Sequence, residues 1–341
     1  MAALVDLNLI YNFRNPPQWR EPWAQRYRKL LEQIAWIDRD LPGVTGVRLT
    51  EHHFYDDGYL PSALLMAAGI ATTTERLSLG TNLIQFPLHH PVRVAEDCLV
   101  LDIMSGGRFC LGVGLGYAEE EFAGLGVALT SRRSRLVAGL SVLRQAFAGE
   151  PVSCDNEFFT IPSTRVTPPP IRPGGPPIWM GGSAPVAIER AARLADGFLA
   201  LSAAAAATYV EACNRLGRPR EEQRFGRTYW TLVSEDPDRT LAEVGHNMLH
   251  RLNEYIVRGA YPGVAPYDDP RKAVDDGHCL LLDGPGAIRE FDDAIAQGAC
   301  EITVTPVMPG EDVGGAAERI AFLAEQVVPR LQPLPAVVGA A

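Results

Sequence analysis

The chain has 341 residues, 47% of them hydrophobic and 21% charged, with a formal net charge of −10. That length suits one α/β barrel with a full core, while the negative charge disfavours nucleic acid and anionic membrane as partners, and no apolar run is long enough to span a bilayer. Six widely spaced cysteines form no CxxC pair, and the opening MAALVDLNLIYNF lacks a signal peptide's basic and long apolar regions, so a cytoplasmic protein with reduced thiols and a small-molecule partner is expected.

Along the chain, short strand-like apolar runs alternate with longer amphipathic ones, the pattern of repeated βα units. The strand candidates are 4–10, 47–50, 77–83, 109–114, 177–181, 197–201, 225–233 and 301–307. Pro91 opens a helix that places Val94, Cys98 and Leu101 at i, i+4 and i+7 and stops at Ser105-Gly106-Gly107. A second helix over 314–328 stacks Ile320, Leu323, Ala324 and Val327 and is ended by Pro329.

Eight strands, each followed by a helix and with no linker between cores, predict a closed (β/α)8 TIM barrel over 1–341 as a single domain, ahead of an open doubly wound sheet. Two insertions break the rhythm. Residues 150–176 contain VSCDNEFFTI, which reads as a hairpin before a Pro-rich stretch. Residues 259–283 are rich in Gly, Pro and Asp and read either as a lid on the catalytic rim or as a surface loop.

Barrel enzymes work at the carboxyl ends of their strands. After the second strand stand Glu51, His52 and His53; neighbours on extended backbone point to opposite sides, so at most one histidine faces the mouth directly. Proton handling fits an imidazole beside a carboxylate. A metal site lacks identifiable third and fourth ligands, because His246 and His250 have helical i, i+4 spacing without the HExxH glutamate.

After the fourth strand, GVGLGY at 112–117 lacks the last glycine of a dinucleotide fingerprint, yet glycines such as Gly114 leave room for a flat ligand or a neighbouring helix. After the fifth, Gly181, Gly182, Ser183 and Ala184 precede a helix, a geometry that suits an anion, with Ser183 as the expected N-cap.

Four segments in order, TEHHF at 50–54, LGTNLIQFPLHHPVRVAED at 79–97, LDIMSGGRFCLGVGLGY at 101–117 and PPIWMGGSAPVAIERAARLADGFL at 176–199, resemble the bacterial luciferase-like monooxygenases, a family of flavin-dependent barrels. The resemblance covers about 4–328 and implies that His52 manages protons for a flavin C4a-(hydro)peroxide, with Glu51 orienting it. It places Thr81 and Asn82 against the flavin ring, where relatives often carry a non-prolyl cis peptide. It gives the FMN phosphate to Ser183 with the amides of Gly182 and Ala184, and brings Arg135 towards that phosphate. Leu115 departs from the pattern, standing where relatives often have a phosphate-binding arginine.

The implied activity is an FMNH2- and O2-dependent monooxygenase acting on a small organic substrate, with reduced FMN supplied by a separate flavin reductase and the chain forming a homodimer. The alternatives are a deazaflavin F420-dependent oxidoreductase on the same barrel, a non-catalytic flavin-binding protein, and a metal-dependent hydrolase built on Glu51 and His52. Tyr11, Phe54, Phe86, Trp179 and Trp230 are candidate pocket walls, with core packing as the competing role for each.

Overall fold

The structure is a computed structural model, and residues 4–334 are described. The ends of the expected 1–341 domain, including the first residues of the amino-terminal apolar stretch, lie outside them. Eight parallel strands form the barrel: β1 (Asp6–Tyr11), β2 (Gly46–Leu49), β3 (Ser78–Thr81), β4 (Phe109–Gly114), β5 (Ile178–Gly181), β6 (Gly197–Ala200), β7 (Arg224–Tyr229) and β8 (Glu301–Val304). Each pairs with its chain neighbours, and β8 returns to β1 with Asn8 opposite Thr303, so the sheet has no free edge. The fold is the expected TIM barrel.

Two strands end earlier than their apolar runs. The run at 77–83 breaks after Thr81 at a cis Asn82–Leu83 peptide, and Ile84–Gln85 then pairs with β4. The run at 225–233 breaks at Trp230, beyond which Thr231–Val233 pairs with Leu280–Leu282 above the barrel. Apolar patterning records burial, and both sides of each break are buried, so the kinks leave no trace in it.

Polar side chains hold the barrel interior. Arg48 from β2 and Asn8 from β1 both donate to Glu301 Oε2 of β8 at 2.7 Å, and Arg48 also reaches Ser78 Oγ. Beside them Trp179 fills the lumen, and only glycine fits opposite: a Cβ on Gly197 would lie 2.4 Å from the indole. Trp179 therefore serves the barrel's core. Tyr11, whose hydroxyl donates to Gln33, and Phe86, packed on Gly139, are core residues too.

The helix at 91 runs Pro91–Met104. The one expected at 314–328 is regular over Val313–Phe322 and widens into a π-turn over Leu323–Val327. The hairpin forms from Pro151–Asp155 and Thr160–Arg165. The second insertion starts earlier than 259: helix Pro237–Val257 crosses the rim, and a short helix, Pro270–Asp275, packs on it. Leu232, Met248, Leu252, Ala273 and Met308 give this cover a small apolar core of its own. Among the described residues no helix is long and apolar enough to cross a membrane.

Glu301→Ala would leave the buried Arg48 guanidinium without its carboxylate, and removing one partner of a buried pair costs about 3–5 kcal/mol. Urea unfolding of the variant should give an unfolding free energy lower by that margin, seen as a lower midpoint; an unchanged midpoint would mean the interior pair is dispensable.

Candidate functional site

The chain leaving β2 is anchored on both sides before it turns: Glu51 N donates to Leu83 O and His52 N to Leu60 O. Extended backbone sends Glu51 and His53 one way and His52 the other. His52 therefore does not pair with Glu51. Its Nδ1 lies 2.9 Å from Oε1 of Glu121, a fully buried residue on the short helix Glu119–Gly124 after β4. The same oxygen accepts the His53 backbone N–H at 2.6 Å. With Glu121 as the acceptor, Nδ1 carries a proton towards it and Nε2 is left as the free ring nitrogen, while Gln85 Nε2 lies 3.4 Å from Nδ1.

The acidic run at 119–121 also suits the amino-terminal turn of its helix, where negative charge meets unpaired N–H groups. Glu120 pairs there with Arg258 at 2.7 Å.

Glu51 belongs to a second cluster. His89 Nε2 is 2.9 Å from Glu51 Oε1, His53 Nε2 is 3.5 Å away at the outer limit of a hydrogen bond, and Gln85 N donates at 3.1 Å. Burial opposes ionisation of Glu51, but the His89 charge and the two imidazole contacts prevail and hold its carboxyl down to about 2. In return His89 is raised: burial lowers it, and the Glu51 charge outweighs that.

The sequence suggested no third metal ligand, yet the donor atoms of Glu51, His53 and His89 lie within 4.8 Å of one another. A tetrahedral ion with bonds of about 2.0–2.1 Å would hold its donors roughly 3.3–3.4 Å apart. The 2.9 Å Glu51–His89 separation is instead that of a charge-assisted hydrogen bond. His246 is exposed while His250 pairs with Asp57 at 2.8 Å, so the i, i+4 histidines do not converge on a ligand.

Around His52 stand Tyr55, Tyr59, Tyr117 and Tyr255, with ring centroids 4.7–5.7 Å away. Burial raises all four hydroxyls, so they remain neutral. Tyr59 bridges Thr50 of the β2 end and Tyr255 of the covering helix at 2.8 and 2.7 Å. Trp230 continues the wall 4.9 Å from Tyr255, whereas Phe54 is half exposed and packs on Gly124. Phe13 and Phe54, at the ends of β1 and β2, have the positive φ values of 56° and 60°; backbone of this kind concentrates at functional sites.

The residues expected to hold a cofactor fall into two groups. Thr81 is fully engaged, its hydroxyl donating to Gly112 O and accepting from Gly112 N. Asn82 reaches across to Thr228 Oγ1. The room above Gly114 and Gly181 is filled by Leu83, whose side chain would meet a Cβ at 2.5 and 2.6 Å. Those two glycines thus admit a protein side chain.

The loop after β5 is open. Ser183 and Ala184 are exposed, and Ala184, not Ser183, is the N-cap of helix Pro185–Leu194, because Pro185 takes N1. Arg135 donates to Pro87 O and lies 4.8 Å over Phe159 of the hairpin. Arg133 lies towards that helix: burial and then the Arg133 charge hold Arg190 below the usual guanidinium range. Neither arginine has a carboxylate partner among the described residues.

With this geometry in hand, comparison with known proteins is decisive at one level. The model of luciferase-like monooxygenases matches residues 12–278. The chain belongs to that family.

Among its relatives, 4-hydroxyprotoasukamycin monooxygenase of Streptomyces nodosus subsp. asukaensis is 33% identical over 163 residues, 48% of this chain and 43% of the relative. F420-dependent glucose-6-phosphate dehydrogenase of Nakamurella multipartita is 30% identical over 161 residues, 46% of this chain and 47% of the relative. The matched segments thus span less than half the length of these relatives.

Among solved structures, monooxygenase RslO1 from Streptomyces bottropensis aligns with TM-score 0.82 at 20% identity, covering 95% of this chain and 99% of that one. The oxygenating constituent of 3,6-diketocamphane monooxygenase from Pseudomonas putida, in complex with FMN, aligns with TM-score 0.74 at 15% identity, covering 98% and 100%. At such identities the likeness concerns the fold.

Sequence reasoning missed Glu121 and His89 as partners, and Arg14, Tyr255 and Arg251 on the rim. Strand alternation, which pairs Glu51 with His53, was a usable signal for the first correction.

Glu51, depressed, contributes stability above its ordinary value of about 4.5 and loses it as pH falls towards 2. His89, raised, contributes fully below about 6.5 and fades as pH rises through its folded value. Glu51→Gln should therefore lower Tm more at pH 6 than at pH 9, and an NMR titration should show His89 moving to lower pH in the variant. An equal Tm loss at both pH values would contradict the pairing.

Proposed function

We propose that this chain is the oxygenase component of an FMN-dependent monooxygenase, working on a small organic substrate with reduced FMN delivered by a separate flavin reductase. The observation that carries this reading is His52, fixed by Glu121 through Nδ1 in a buried tyrosine-lined mouth, on the same rim as an open anion loop. Bound reduced FMN would supply the electrons that activate O2.

The residues present fit that cofactor. Gly182, Ser183 and Ala184 offer amides at a helix amino end, with the uncompensated charges of Arg133 and Arg190 nearby, while Asn82 and Leu83 form the floor of the mouth. The arginine pair takes over the charge missing at Leu115, which packs half-buried against the core. In this reading Arg135 is engaged elsewhere, by Pro87 O and Phe159 of the hairpin. His52 holds or releases a proton at Nε2, Glu121 keeps it in that tautomer, and the Glu51–His89 pair stiffens the other side of the same strand end. The tyrosine walls and the covering helix exclude water.

A homodimer is part of the proposal: Leu65, Val100, Ile103 and Met104 expose apolar surface on helices Ala63–Ala71 and Pro91–Met104, which pack side by side.

The F420 reading keeps one point in its favour, the F420-dependent relative, and binding separates the two. Anaerobic titration should show FMNH2 binding at least tenfold tighter than reduced F420 and tighter than reduced riboflavin, with Arg190→Gln erasing the advantage over riboflavin. Preference for F420 would overturn the cofactor assignment, and indifference to the phosphate would overturn the loop assignment. With O2 present, His52→Ala should change the lifetime of bound reduced FMN by about 10²-fold or more, the usual weight of a positioned acid–base group.

A further inference from the structure

Three buried or half-buried arginines back the tyrosine-lined mouth, and only two of them have a carboxylate. Arg14, at the end of β1, pairs with Asp57 at 2.6 Å. Arg258 pairs with Glu120 and lies near Glu254 at 3.5 Å. Arg251, on the underside of helix Pro237–Val257, has no ion pair and no side-chain hydrogen bond among the described residues, although it is only 5% exposed.

Its guanidinium lies 4.0 Å over the Trp230 ring. The other groups that feel its charge are Tyr59, Tyr255, Tyr261 and Cys279, each of which burial keeps protonated. A ring face returns only part of the hydration that a buried cation loses, and nothing anionic returns the rest. Nη1 of Arg14 is buried without a partner beside its ion pair, whereas Arg251 has no ion pair at all among the described residues. A buried cation beside an aromatic wall, with no counter-ion among the described residues, is the arrangement of a ligand anchor.

We propose that Arg251 binds an anionic oxygen of the substrate, a carboxylate or a phenolate or enolate, on a molecule whose flat apolar body lies along Trp230 and Tyr255. This rests on the reading above that the mouth takes an organic substrate. The wall is continuous from Arg251 to the reactive side: Trp230 is 4.9 Å from Tyr255, which is 5.5 Å from His52. Tyr261, 6.1 Å from Trp230, closes the outer side and brings the 259–283 segment into the site. Arg251 selects the substrate by charge, and the aromatic wall selects it by shape. The flavin phosphate is not the expected occupant, because its loop follows β5, whereas Arg251 lies over Trp230, just after β7, and its charge reaches Tyr59 beyond β2.

The substrate arm of the test needs no flavin, so its failure is distinct from failure of the cofactor assignment. Calorimetric titration of the full chain compares 2-naphthoate with 2-naphthamide, and 4-nitrophenol above with below its own ionisation; the first pair reports carboxylates, the second phenolates. The anionic form should bind at least tenfold tighter in one or both pairs. Arg251→Gln should erase that preference, and Arg251→Lys, which keeps the charge, should retain part of it. Equal binding of anionic and neutral probes, no binding of any probe at millimolar concentration, or a preference that survives Arg251→Gln overturns the proposal. So does a loss of FMN affinity in Arg251→Gln without a matching loss for riboflavin, which would assign the cation to the phosphate.

Discussion

One oxygen of Glu121 holds the site together. By accepting from His52 Nδ1 and from the His53 backbone N–H, it ties the end of β2 to the helix that follows β4, across the strand between them. Glu121 is fully buried, and a buried carboxyl needs hydrogen-bond donors; Oε1 finds two, while Oε2 has none among the described residues. That requirement fixes the tautomer of His52 and aims the imidazole into the mouth. Glu51 does the complementary work on the other face of the same strand end, where His89 and His53 gather on it. Alternating side chains put the two clusters on opposite sides of one strand end, and Gln85 touches both, through its backbone N–H on Glu51 and its side chain 3.4 Å from His52 Nδ1.

Charge is distributed unevenly around the mouth. Glu120 and Asp57 pair with Arg258 and Arg14, while among the described residues Arg251 on the cover and Arg133 and Arg190 near the loop after β5 have no carboxylate partner. Two separated cationic places in a chain of net charge −10 are a physical pattern that an organic anion and a flavin phosphate would each explain. The cover bearing Arg251 and Tyr255 has its own apolar core, so it is built to stand over the mouth as a unit.

Most of the architecture was legible in the sequence because a barrel repeats a simple pattern, and Pro91, Gly106 and Pro329 punctuate it. What escaped was local. The breaks after Thr81 and at Trp230 interrupt strands without changing hydrophobicity. The GVGLGY glycines were readable as close-approach points, but their contents were not: Leu83 enters from another strand. The partnership of His52 with Glu121 joins residues 69 positions apart, and an acidic run reads equally as a helix start and as a solvated surface. Arg135 was named from the resemblance, and Arg133, two residues before it on the same helix, faces a different neighbour. The cover was placed too late because helix Pro237–Val257 has the amphipathic pattern of an ordinary barrel helix.

The central claim is that Glu121 acts on flavin chemistry through His52. Its most direct test is a double-mutant cycle on the O2-dependent reoxidation of bound reduced FMN, with His52→Ala, Glu121→Gln and the two combined. If the account is right, the combined variant is no worse than His52→Ala alone, since the carboxylate has nothing left to orient. Losses that multiply would show Glu121 acting independently of His52 and would contradict it.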